Sequence, residues 1–127
     1  MLGRDAHVGK GVRLALGPRG RLALGAGAWL GEGARVQAWG PVIIGAGTLV
    51  GEKSVVIADA GVSVGDSCVI GDEVLLSDGV RVGSRVRIGP RACLLPGAEL
   101  RDGSVVLARS VVEGPVRAQT VARSRSR

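Results

Sequence analysis

From Val64 to Arg117 the chain reads VGDSCV, IGDEVL, LSDGVR, VGSRVR, IGPRAC, LLPGAE, LRDGSV, VLARSV, VEGPVR, nine hexads in unbroken succession. Each begins with an aliphatic residue, often followed by glycine, and carries a small or β-branched residue at its fifth place. A unit this short cannot bury its own apolar face, so neighbouring units must stack into a solenoid with one continuous core. Side chains two apart share a face of a strand, so the fifth place and the next hexad's first place point inward together. The sixth place between them points outward.

The same beat extends backwards through aliphatic starters at Val56, Val50, Ile44, Val36, Leu30, Leu24, Leu14, Val8 and Leu2. It slips after the Leu14, Val36 and Val56 hexads, each the third of a triplet. The chain therefore divides into coils beginning near Leu2, Leu24, Ile44, Val64, Val82 and Leu100, with insertions expected to bulge from a single edge. Glycine agrees with this division. It follows the starter in the first two hexads of most coils, and in the third its place is taken by Ala15, Gln37, Ile57, Ser77, Leu95 or Glu113. The fifth places hold Val12, Ala28, Ala34, Thr48, Ser54, Ala60, Cys68, Val74, Val80, Val86, Ala92, Ala98, Ser104 and Ser110. The fold class expected is all-β: a single-stranded parallel β-helix of about six triangular coils over residues 1–117, followed by a basic C-terminal tail over 118–127.

Composition fits a narrow solenoid. The 127 residues include no Phe or Tyr, two Trp and 22 Gly, and the core must be built from Val, Ile, Leu and Ala. The net charge of +6 rests on fifteen arginines and two lysines, but four of the arginines fall in the last segment, Arg117 to Arg127. Elsewhere the arginines are scattered by the repeat, and stacking aromatics are scarce, so no nucleic-acid-binding module is expected. No apolar run reaches membrane-spanning length, and Cys68 and Cys93 lack metal-ligand spacing. A soluble protein of a reducing cytoplasm, without a disulfide, is the expectation.

Stacking the coils aligns the outward sixth places into three columns. The first reads His7, Trp29, Leu49, Val69, Arg87, Val105; the second reads Arg13, Arg35, Val55, Leu75, Cys93, Val111; the third reads roughly Arg19, Pro41, Gly61, Arg81, Glu99, Arg117. Two of the three are largely apolar, and outward apolar stripes mark an interface. A homotrimer closed through Trp29, Leu49, Val55, Val69, Leu75 and Val111 is expected.

The repeat resembles the hexapeptide-repeat acyltransferase superfamily over roughly residues 24–115. Residues 40–82 look like the middle coils of bacterial sugar O-acetyltransferases, and 88–112, with the Leu95-Pro96-Gly97 turn, like their later coils. The resemblance implies a left-handed β-helix, trimeric assembly, and transfer of acetyl from acetyl-CoA to a sugar-type hydroxyl or amine. It also implies a histidine base on a loop after a hexad such as Leu76-Ser77-Asp78-Gly79, because a base must titrate near working pH. Here Val82-Gly83 follows at once with no such loop, and EGPVRAQTVARS stands where the family carries its A-G-N-P-A-[RK] stretch. The candidate bases are then Asp78 and His7, the sole histidine, each with a structural alternative: a turn role for Asp78 in its Ser-Asp-Gly corner, and capping or packing on Trp29 for His7. Ala92, Ala108 and Ser110 match positions lining the family's CoA groove, and Arg91 and Arg109 are placed to meet a nucleotide phosphate. A γ-class carbonic anhydrase needs three zinc-binding histidines, so no metal is expected. The alternative is a non-catalytic trimeric scaffold, or the partner subunit of a catalytic relative.

Overall fold

The computed structural model describes residues 2–114 and the backbone of 121–122, so most of the segment 118–127 read as a basic tail lies outside the described residues. All described regular structure is strand, in three parallel sheets of seven, six and five strands that form the faces of a parallel β-helix. The first face stacks His7–Val8, Trp29–Leu30, Leu49–Val50, Val69–Ile70, Arg87–Ile88, Val105–Val106 and Val121–Ala122. The second runs from Arg13–Leu16 to Val111–Val112, and the third from Arg21–Leu24 to Glu99–Leu100. Leu2, Leu24, Ile44, Val64, Val82 and Leu100 lie one above another, which gives turns of 22, 20, 20, 18 and 18 residues.

The starters and the small places fill the interior. Leu30, Ile70, Leu76 and Leu94 are buried among Ala28, Cys68, Val74 and Val80. Where the interior column turns polar, its hydroxyls are spent on neighbouring backbone: Thr48 Oγ1 donates to the Gly65 carbonyl (2.6 Å) and accepts from the Cys68 N–H (3.1 Å). Ser54 does the same between Gly71 and Val74. No buried side-chain polar atom among the described residues lacks a partner, as a core of this kind requires.

Glycine after the starter is a matter of clearance. A Cβ on Gly31 would sit 2.7 Å from the Gly51 carbonyl carbon in the next coil, and one on Gly89 would sit 2.5 Å from the Ala108 nitrogen. From Gly3 to Gly89 two corners of the triangle thus stack too tightly for a side chain, and Arg101 and Leu107 take those places in the coil beyond. The turn position two residues later is different, because it needs φ > 0. Gly27 and Gly33 adopt it, but so do Lys53, Ser67, Glu73, Arg85, Arg91 and Arg109.

The insertions depart from the expected bulge. In the longer turns they extend the strands on both sides of the third corner, giving Arg35–Ala38 and Pro41–Ile44 in place of two-residue strands. Ala38 and Ala58 become additional interior residues. Consequently Ala60, counted inward by the hexad, is exposed, and Val62 takes the interior place in register with Val80. The third outward column is correspondingly Ala23, Ile43, Ser63, Arg81, Glu99, with Arg21, Pro41 and Gly61 on its shoulder; the first two columns stand as the hexads place them.

Candidate functional site

The corner between Leu76 and Val80 is where the helix narrows, and Asp78 sits in it. Above a 20-residue turn lies an 18-residue turn, so the backbone N–H groups of the wider corner outrun the backbone of the narrower one. The Asp78 carboxylate closes the gap: Oδ1 accepts from the N–H groups of Asp59 (2.7 Å), Ala60 (2.7 Å) and Gly61 (3.1 Å). Gly79 completes the corner by donating its N–H to the Gly61 carbonyl. Partial desolvation pushes the Asp78 carboxyl up, but the N–H donors of Gly61, Asp59, Ala60 and Gly79 outweigh it and hold the group below the usual carboxylate range. A carboxylate so placed stays ionised and is a weak base.

His7 lies elsewhere. Its ring packs on Trp29 with centroids 4.2 Å apart and planes tilted by 38°. The two residues, with Leu49, floor an apolar depression of about 660 Å³ on the first face, edged by Lys10, Glu32 and Glu52. Three coils separate His7 from Asp78, roughly 14 Å along the axis at the usual spacing between strands. One chain therefore does not bring the two candidate bases together.

The proposed groove residues divide in the same way. Ala92 and Ser110 are interior, 1% and 0% exposed. Their backbones are engaged too, each carbonyl accepting from the coil before: Leu75 N–H to Ala92 (3.1 Å) and Cys93 N–H to Ser110 (2.8 Å). Ala108 alone among the three shows its side chain outside, at a corner flanked by Arg109. Arg91 stacks one coil before Arg109, and its Nε lies 3.4 Å from Glu73 Oε1. The turn role read for Asp78 from its Ser-Asp-Gly corner is the one the hydrogen bonds show; what the sequence reading did not use is that Asp78 follows directly on the step from a 20-residue to an 18-residue turn.

Cys68 and Cys93 are free thiols, the first buried and the second half-buried in the outward second column. Burial pushes the Cys68 thiol up, against opposing hydrogen bonds from Val86, Thr48 and Arg85, and its Sγ donates to the Gly83 carbonyl (3.0 Å). It behaves as a small interior residue. Among the described residues no cluster of His, Cys, Asp or Glu could hold a metal ion, and no helix is long and apolar enough to cross a membrane.

Comparison with known proteins agrees with this architecture. The family described as the hexapeptide repeat of succinyl-transferase matches residues 41–76 and 79–113. Among solved structures, a hexapeptide transferase family protein from Anaplasma phagocytophilum is similar at 16% identity and a TM-score of 0.66, over 97% of this chain and 74% of that one. The Francisella novicida UDP-N-acetylglucosamine acyltransferase shares 15% identity at a TM-score of 0.55, over 87% of this chain and 55% of its own. LpxA from Acinetobacter baumannii shares 15% at 0.53, over 98% and 64%. The chain thus spans less than two thirds of the last two proteins, and at such identities the likeness is one of fold. No curated protein matches the sequence.

Proposed function

Because the chain belongs to the hexapeptide-repeat transferase family, we propose that it is an acyltransferase-type β-helix subunit that assembles as a homotrimer and binds CoA, without supplying a catalytic base of its own. The observation that carries this reading is Asp78. The one acidic residue at the place where the family resemblance calls for a base has its carboxylate committed to three N–H groups that the narrowing helix leaves over. Losing a positioned base typically costs 10²–10⁴-fold in rate, so such a subunit serves as a scaffold or as the partner of a catalytic relative.

Trimer closure through the exposed Trp29, Leu49 and Val69 and the half-buried Val55, Leu75 and Val111 would bury both apolar columns. CoA, if held between subunits, would meet Ala108 at the corner and the cations of Arg91 and Arg109. Ala92 and Ser110 would then support that corner from within.

A second reading has its own observation. His7 borders the apolar depression beside Trp29, and an imidazole there could take the proton from a sugar-type hydroxyl or amine as it attacks acetyl-CoA. The test is calorimetry with CoA, joined to thiol release from acetyl-CoA over a panel of sugar and amine acceptors. CoA binding without turnover supports the first reading. Turnover that His7→Ala abolishes establishes the second.

A further inference from the structure

We infer that the third face carries a binding site for a short-chain carboxylate, in a notch where Ile43 and Arg81 stand on either side of Ser63. The notch lies apart from both apolar columns and from the depression beside His7, so the inference is independent of assembly and of acyl transfer.

The notch follows from the register. Ser63 is paired with Ile43 on one side and with Arg81 on the other, and neighbouring strands are about 4.8 Å apart. Three outward side chains therefore stand in a row, and the middle one is short. The space it leaves is a cleft of about 260 Å³, continued toward the corner by Pro41, Gly61 and Gly79. Glycine at 61 keeps that end open: a Cβ there, at φ 149°, would lie 3.1 Å from the Pro41 carbonyl oxygen and 3.4 Å from Pro41 Cγ. This is the corner at which the helix narrows, and Asp78 fixes its shape by accepting from the Ala60 and Gly61 N–H groups.

The chemistry of the cleft is divided. Arg81 brings an exposed guanidinium and Ser63 an exposed hydroxyl, and among the described residues neither side chain has a hydrogen bond or an ion pair. No acid lines the cleft. Asp78 Oδ1 is committed to the corner N–H groups, and Glu99 stands on the strand beyond Arg81 without pairing with it. On the opposite side the half-exposed Ile43 and Pro41 form an apolar wall.

The ligand is read from that division. A guanidinium fork and one hydroxyl match the two oxygens of a single carboxylate, whereas a dianionic phosphate would keep one charge uncompensated. The aliphatic wall takes the hydrocarbon next to the head group. Drug-sized ligands occupy pockets of about 300–1,000 Å³, so this cleft suits a smaller molecule, and a short-chain carboxylic acid meets every requirement.

The probe is butyrate, followed through the amide chemical shifts of the purified protein. Butylamine, inorganic phosphate and a tetrapeptide ending in a valine carboxylate are the comparisons. Butyrate should move the signals of Gly61, Ser63, Gly79 and Arg81 saturably, and butylamine should leave them in place. Arg81→Gln, a change at an exposed side chain, should weaken butyrate binding by at least about tenfold, the worth of a hydrogen bond to a charged group. Glu99→Gln removes the carboxylate that competes for Arg81 and should tighten it. The inference is overturned if butyrate moves none of these signals, or moves them equally in Arg81→Gln. Phosphate binding as tightly as butyrate would overturn it too, since the cleft would then select charge alone. Tighter binding of the peptide than of butyrate would also do so, because the chain end of a partner protein would then be the occupant.

Discussion

Asp78 shows how one side chain can hold a step in coil length. Its three acceptor contacts stabilise the corner only while the carboxylate is ionised, and such bonds are worth about 1–2 kcal/mol at a partly exposed turn. The folded pKa lies below the unfolded value. The stabilisation is therefore complete above the unfolded pKa of about 4 and is lost as pH falls through the folded one. Asp78→Asn should lower stability at pH 7 by about that amount, and the gap to the parent should close on acidification toward pH 2. Urea unfolding across that range measures it; a gap that stays constant with pH would mean the charge is immaterial. Arg85 offers a prediction of opposite sign. At φ 56° it carries about 1–2 kcal/mol of left-handed strain, more than the 0.5–1 kcal/mol that glycine's added freedom costs. Its exposed contact with Asp102 at 3.8 Å contributes little. Arg85→Gly should raise the melting temperature; a fall would show that the ion pair outweighs the strain.

At the scale of the strand, the alternation of inward and outward residues decides which substitutions matter. Ile70 is buried and in register with Val50 and Ile88, while Arg81 points outward beside Ser63 and Glu99. Ile70→Ala should cost about 2–5 kcal/mol, whereas Arg81→Ala should change little; equal melting temperatures would place the register one residue out. Gly31→Ala should cost about 1–3 kcal/mol by overpacking, because its Cβ would strike Gly51 and Glu52 backbone. The register was legible wherever the hexad repeats without interruption, since a period of two within each strand leaves one inward solution. It failed at Ala60, where two inserted residues restore the alternation by lengthening strands and so move the interior place to Val62. A linear count of six cannot see that choice, because it depends on the coil stacked above. At the candidate site two readings of the same residues compete: Ala92 and Ser110 match groove positions by resemblance, but the hexad puts both at inward fifth places, and there they are buried.

For the whole molecule, the proposed assembly rests on the two apolar columns. Leu75→Glu would place an unpaired charge at the centre of the second column, so on the proposed assembly light scattering should find a trimeric parent and a monomeric variant. A monomeric parent at micromolar concentration would remove the trimer from the account. The central claim is that this chain keeps the family's framework while its own candidate base serves the fold. The most direct measurement is thiol release from acetyl-CoA by the purified protein, run beside CoA calorimetry on the same sample. The account predicts CoA binding with release at the background rate, unchanged in Asp78→Asn and His7→Ala. Robust release that either substitution abolishes would contradict it and identify the base.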